Sequence, residues 1–249
     1  MSEVIKARRY SASERLSRLE KSLADAARLA EGKAAVHVTG SFGRGEASSH
    51  SDLDLFIVGR SSPASEQAIN ETIDAYWRDF EKHKANFVPA FLTNDILRLW
   101  RTFCVNYEAR TKSEPAEQRA KRKLKNYKLK HSRMLTCYSA LLHLLAVFAS
   151  KGTVDKEAAV AMTRLTPMER IIALPTVDAA AVECKAKLVA CYEKFLLETD
   201  APEPQLLERF KDAEQSGAYS RDAREMGDAV HDLLRIVGAD SRFYRLLVV

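Results

Sequence analysis

The sequence predicts an α+β protein: a mixed β-sheet domain with helices over residues 1–112, then an all-helical domain over residues 113–249. Three observations predict this. Short apolar runs of strand length, at 35–39, 53–58 and 87–92, alternate with helical patterns early in the chain. After the stretch 111–115 the apolar residues recur only at helical spacing. Strands packed with helices, followed by helices alone, is the arrangement of an α+β chain.

Taken in order, residues 11–31 form a helix, with Leu16, Leu19, Leu23, Ala26 and Ala30 at helical spacing and Gly32 beyond its end. A strand at 35–39 leads into a glycine-rich turn and a short helix start at Gly40–Arg44. Leu53, Leu55, Phe56, Ile57 and Val58 mark a second strand. Residues 64–84 form a helix with Pro63 near its start and Ile69, Ile73, Tyr76, Trp77 and Phe80 on one side. A third strand covers 87–92, where Pro89 calls for an edge position or a bulge. Asn94 caps a helix containing Ile96, Leu97, Leu99 and Trp100. Further helices are expected over 115–150, 154–162, 167–174, 177–198, 204–214 and 221–237.

At 249 residues the chain can bury one large core or two smaller ones. Residues 1–6 carry no apolar leader. The longest apolar run, 134–149, is expected to be too short to span a bilayer and is interrupted by Ser139 and His143; it reads as a buried helix. Cys104, Cys137, Cys184 and Cys191 show no metal-type pairing, and Cys184 and Cys191 share one helix face as core residues. Six histidines form no ligand spacing; His37 and His143 read as core and His50 as a loop residue. Trp77 and Trp100 also read as core. A cytoplasmic protein without a membrane segment is the expectation.

The chemistry concentrates in Gly40-Ser41-Phe42-Gly43-Arg44-Gly45, followed by Ser51-Asp52-Leu53-Asp54-Leu55. Asp52 and Asp54, spaced i, i+2, would project from one face at the start of the second strand. Two carboxylates together are costly unless a cation joins them, and a hard divalent ion suits carboxylate and phosphate oxygens. Gly40 permits close backbone approach, Ser41 offers a hydroxyl and an amide at a helix start, and Arg44 offers a forked contact to phosphate. The bland alternative is a surface loop with two solvated aspartates.

This pattern resembles the signature of the polymerase-β-type nucleotidyltransferase superfamily, and most of all its small bacterial members of the form GSxxRG…SDxDL. The resemblance implies a nucleotidyltransferase-type sheet domain and a helical appendage that selects the acceptor. It implies Mg²⁺ (or Mn²⁺) on Asp52 and Asp54, which would be catalytic and metal-binding. Gly40, Ser41, Arg44 and Ser51 would hold a nucleoside triphosphate. The reaction would carry a nucleoside monophosphate to a hydroxyl of a small molecule, a protein or RNA, releasing pyrophosphate. The superfamily usually has a third carboxylate on a later strand, but residues 86–92 contain no acid. Asp79, Glu81, Asp95 and Glu108 lie nearby, with Asp95 also reading as part of a helix start. Either a carboxylate comes from elsewhere, or the protein is a degenerate nucleotide-binding module.

Residues 119–133 hold eight Lys or Arg and no acid, although the whole chain carries a net charge of only +5. On a helix, Lys121, Lys125 and Lys128 share a side. Such a stripe binds phosphate, from a triphosphate or an RNA or tRNA acceptor, or is simply a solvated face. Lys128 and Lys130 are the candidates for triphosphate contacts, and Tyr127 for stacking on a base. The acceptor, the nucleotide base and the oligomeric state are not set by the sequence.

Overall fold

The computed structural model describes residues 2–22, 34–59, 65–109, 116–175, 178–239 and 241–248. The chain forms two compact units: residues 1–72 with 196–201, and residues 73–195 with 202–249.

The first unit opens with helix α1 (Glu3–Ser22), whose start is marked by the Ser2 hydroxyl accepting from the Ile5 amide. It begins earlier than the expected position 11, because its buried stripe starts at Ile5 and reaches Ala12 (3% and 1% exposed) among basic neighbours. The expected continuation over 23–31 lies outside the described residues. Strand β1 (Ala34–Val38), a single helical turn α2 (Gly40–Gly43) and strand β2 (Leu55–Gly59) follow. The strands pair antiparallel, with Ala34 opposite Gly59 and Val38 opposite Leu55. Ala12, Phe42 and Ala47 form a small core against Leu16 and Val38, so α1 packs directly on the motif turn. Buried Arg8 donates to the Leu196 carbonyl at 2.8 Å and pairs with Asp200 at 3.1 Å.

The mixed β-sheet domain expected from the sequence is not what forms. Among the described residues the β1–β2 pair is the whole sheet, and helices dominate everything else. The expected third strand at 87–92 fails at Pro89. Its carbonyl accepts from the Thr93 amide at 3.0 Å and the Thr93 hydroxyl at 2.9 Å, opening a helix at Ala90 instead of at Asn94. Proline suits a first helical turn, where no amide hydrogen is needed and φ is already helical. Phe87 enters the core (8% exposed) while Phe91 stays 76% exposed, so the run was never one apolar surface.

The second unit takes in the end of α3 (Ser65–Tyr76), then α4 (Phe80–His83), α5 (Ala90–Ala109) and α6 (Ala116–Lys128). A π-helical turn, Leu129–Arg133, joins α6 to α7 (Met134–Lys151). The joined run Glu117–Lys151 spans 35 residues and contains an 18-residue window long and apolar enough to cross a membrane by length and composition. Its Leu135, Leu141, Leu142, Leu144 and Leu145 are nevertheless fully buried within the unit. Gly152 ends α7 in the left-handed conformation (φ 73°).

Helix α8 (Lys156–Thr163) starts on an Asp155 cap, and α9 (Pro167–Ile172) on a Thr166–Glu169 capping box. Next come α10 (Ala179–Glu198), α11 (Glu203–Lys211), α12 (Ala213–Gly238) and α13 (Arg242–Val248). Asp212 caps α12 by accepting from the Gln215 amide, so that helix begins eight residues before the expected 221. Helix α13 was not anticipated, yet Phe243 is fully buried beside Leu144, Leu145, Trp77 and Phe87. The Trp77 indole donates to the Val154 carbonyl at 2.9 Å, tying the chain after α3 to the loop before α8.

One cap here carries a stability prediction. Lys185 donates to the Ile172 and Leu174 carbonyls at 2.5 and 2.9 Å, closing the C-terminal end of α9. Lys185→Met is expected to cost about 1–2 kcal/mol in urea unfolding, since the carbonyls lose a cationic donor. An unchanged midpoint overturns that role.

Candidate functional site

The site grows from one crossing in the first unit. Thr39, after β1, donates its amide to the Asp54 carbonyl at 2.9 Å and its hydroxyl to the same oxygen at 3.4 Å. The Thr39 hydroxyl is therefore not a helix cap, and the turn is tied to the residue just before β2. Gly40 has φ 63°, and a Cβ there would lie 2.3 Å from Asp54 Oδ2. The Asp54 carboxylate thus rests on the bare Gly40 backbone. A side chain at 40 would be strained by the positive φ and would displace the Asp54 carboxylate. Gly43 is constrained by space, since its Cβ would meet the Val38 carbonyl oxygen at 2.6 Å.

Asp52 and Asp54 are exposed and occupy irregular chain before β2. The expected alternation on a strand face therefore does not apply to them. Neither forms an ion pair among the described residues. Half-buried Ser41 accepts the Glu46 amide on its carbonyl at 2.8 Å. In a helix this short the first amides, of Gly40, Ser41 and Phe42, have no intrahelical acceptor. Arg44 directs its Nε to the buried Glu46 carboxylate at 2.7 Å, so a forked phosphate contact through Nε is already taken. The Ser51 hydroxyl accepts from the Ser48 amide at 2.9 Å and closes the loop leading to Asp52, with His50 exposed on it.

Arg15, which the sequence did not single out, holds that loop. Its guanidinium lies over the Phe42 ring at 4.5 Å, donates to the Ser48 carbonyl and reaches the Ser51 carbonyl at 3.5 Å. One side chain from α1 therefore braces both the motif turn and the approach to Asp52. The available signal was an arginine on the apolar side of the first helix, next to Leu16. Arg15→Ala is expected to lower kcat at least tenfold while NTP binding changes less, because it misplaces Asp52 without removing a ligand. Full activity of Arg15→Ala overturns this.

No group of three or more His, Cys, Asp or Glu is placed to hold a metal among the described residues. The acids that follow in sequence belong to the second unit, where the described ones have partners. Asp79 pairs with Lys82 at 2.9 Å. Asp95 accepts from the Tyr76 hydroxyl at 2.8 Å and pairs with Arg98 at 3.0 Å; that hydrogen bond, above all, pushes the Tyr76 phenol up. Glu81 lies 3.9 Å from Lys84, and the Glu108 side chain lies outside the described part.

Lys128 and Lys130 also belong to the second unit, both exposed. Tyr127 is not a stacking platform for a base. It is 3% exposed and packed among His131, Phe195, Phe210 and Tyr219. His131, fully buried at the π-turn, went unnoticed within the basic run.

Residues 16–131 match the family described as "Nucleotidyltransferase domain". This segment is a nucleotidyltransferase domain of the polymerase-β type. It takes in part of α1 with Arg15's neighbour Leu16, both strands and the whole Gly40–Asp54 site. No curated protein and no solved structure matches the chain. The domain's general chemistry is transfer of a nucleotidyl group from a nucleoside triphosphate to an acceptor.

Proposed function

We propose that this nucleotidyltransferase domain is catalytically active and carries a nucleoside monophosphate to an acceptor hydroxyl. The observation that carries the reading is the Asp54 carboxylate seated on Gly40 within the matched segment. The acceptor oxygen attacks the α-phosphorus, the bond to the pyrophosphate oxygen breaks, and the acceptor proton leaves to solvent. Asp52 and Asp54 fit a Mg²⁺ or Mn²⁺ ion: both offer hard oxygens, both are exposed, and neither is neutralised by a cation among the described residues. When bound, that ion neutralises charge on the phosphates and lowers the pKa of the attacking hydroxyl.

The chain's own residues supply position. Gly40 lets the Asp54 carboxylate sit against the turn, and the first amides of α2 with the Ser41 hydroxyl donate to phosphate oxygens. Arg44, paired with Glu46, braces the turn, and the Ser51 hydroxyl closes the loop that leads to Asp52. Acceptors of three kinds suit this chemistry: a small molecule, a protein or RNA.

A second reading, a nucleotide-binding module without turnover, rests on the lack of a three-acid cluster among the described residues. One experiment separates the two. The full chain is incubated with each nucleoside triphosphate, with Mg²⁺ or EDTA and a panel of acceptors, while pyrophosphate release and nucleotide affinity are both measured. Metal-dependent release supports the enzyme. Tight binding without release establishes the module and ends the proposal.

A further inference from the structure

The basic run that the first unit's chemistry does not use has a cavity of its own. Within the second unit, a cavity of about 60 Å³ opens between α6 with its π-turn and α12. Lys123, Asn126 and Lys130 line it from one side and Ser216 and Ser220 from the other. Tyr127, Phe210 and Tyr219 form its buried floor. No acid lines it.

Its polar groups are poised but unused. Lys123 and Lys130 form no ion pair, and the Asn126 side chain forms no hydrogen bond, among the described residues. Ser216 is 6% exposed as a residue and lines the cavity, and its hydroxyl is not among the fully buried polar atoms. The nearest buried carboxylate on α12, Asp222, is held by Lys194 at 2.7 Å. A hydroxyl that reaches the cavity can donate to a ligand held there. Ser220, by contrast, is satisfied by the Ser216 carbonyl at 3.0 Å.

We infer that this cavity is an anion subsite that takes one phosphate of a single-stranded nucleic acid. The size admits a small tetrahedral oxyanion and is far below the roughly 300–1,000 Å³ of a pocket for a whole drug-sized ligand. Two unpaired ammonium groups flank donors at the mouth, which is the chemistry of an oxyanion site. Exposed Lys121, Arg122 and Lys125 continue the positive charge along α6, so a strand with one phosphate in the cavity finds cations for its neighbours. The buried aromatic floor offers no open ring face, so the contact is to backbone phosphate and carries no base preference. This site uses neither Asp52 nor Asp54.

The test measures binding of the full chain to a short fluorescein-labelled oligouridylate by anisotropy over a range of salt. Lys123→Gln with Lys130→Gln is expected to weaken binding about tenfold or more and to lower the salt slope by roughly two. The equal-charge control, Lys121→Gln with Lys125→Gln, is expected to lose distinctly less. Ser216→Val, which fills the cavity without changing charge, is expected to weaken binding several-fold at an unchanged salt slope. Inorganic phosphate at constant ionic strength is expected to compete with the wild type and not with the Lys123/Lys130 variant. Asp54→Asn is expected to bind the oligonucleotide normally, so this inference and the proposed transfer fail separately. Equal losses in the two double variants overturn the subsite, as does phosphate binding without any binding of the oligonucleotide.

Discussion

Asp54→Asn is expected to reduce pyrophosphate release by about a thousandfold or more, equivalent to about 4 kcal/mol of transition-state stabilisation. The substitution keeps the shape of the side chain. It removes one hard oxygen and a negative charge at the spot where the carboxylate meets the Gly40 backbone. The local scaffold survives, because the Thr39 bonds run to the Asp54 main-chain carbonyl and not to its side chain. Thermal unfolding of the variant is therefore expected to match the wild type, which separates lost chemistry from lost folding. Asp52→Asn is expected to behave similarly, and the double variant to be little worse than either, since residues acting as one unit are not additive. Gly40→Ala approaches the same site from the backbone. It forces an L side chain into φ 63° and into Asp54 Oδ2, so it is expected to lose both activity and about 1–2 kcal/mol of stability. Retained turnover in Asp54→Asn, measured with Mg²⁺ saturating, removes Asp54 from the mechanism.

The elements legible in the sequence were those with a single dominant local signal. Val38 followed by Gly40, and Leu55 through Gly59, had strand length, flanking turn residues and a glycine that the fold uses at positive φ. The helices at Ala179–Glu198 and Pro167–Ile172 were read for similar reasons: long periodicity in the first, and a proline at the start of the second. The failures had competing signals. Residues 87–92 are apolar and β-prone, but Pro89 decides for a helix, and only burial distinguishes Phe87 from Phe91. At the site, the residues that touch substrate in the proposal lie in one short motif and were visible. Arg15 and Glu46 were not, because their roles depend on α1 packing against Phe42 and on burial of a carboxylate beside Arg44. Tyr127 was misread because the face of α6 that is buried follows from α11 and α12, which lie about eighty residues away in sequence or more.

Stability is expected to fall by about 3 kcal/mol as pH drops from 7 to 4, and His131 is the reason. The ring is fully buried, lies nearly parallel to Phe195 at 4.7 Å, and sits beside Tyr127. Its Nδ1 lies 2.8 Å from the Tyr127 carbonyl, which assigns the proton of the neutral ring to Nδ1. Nε2 is then a buried acceptor with no partner, and protonating it would place an unpaired cation among aromatic rings. Burial accordingly pulls the pKa from 6.5 down to about 4; the Tyr127 carbonyl and Asp222 oppose the shift, and Lys130 adds to it. The sign follows. Between pH 6.5 and 4 the unfolded chain binds a proton that the folded chain refuses, so stability is complete above 6.5 and is lost as pH falls through this window. Urea unfolding of the wild type and of His131→Phe at several pH values isolates the contribution, because other titrating groups are common to both. The variant's stability curve is expected to be flatter by about 3 kcal/mol across that range. Should His131→Phe fold poorly, the His131 Cε1 proton resonance of the wild type gives the midpoint directly. A midpoint near 6.5, or parallel curves for the two proteins, contradicts the burial of an unpartnered Nε2.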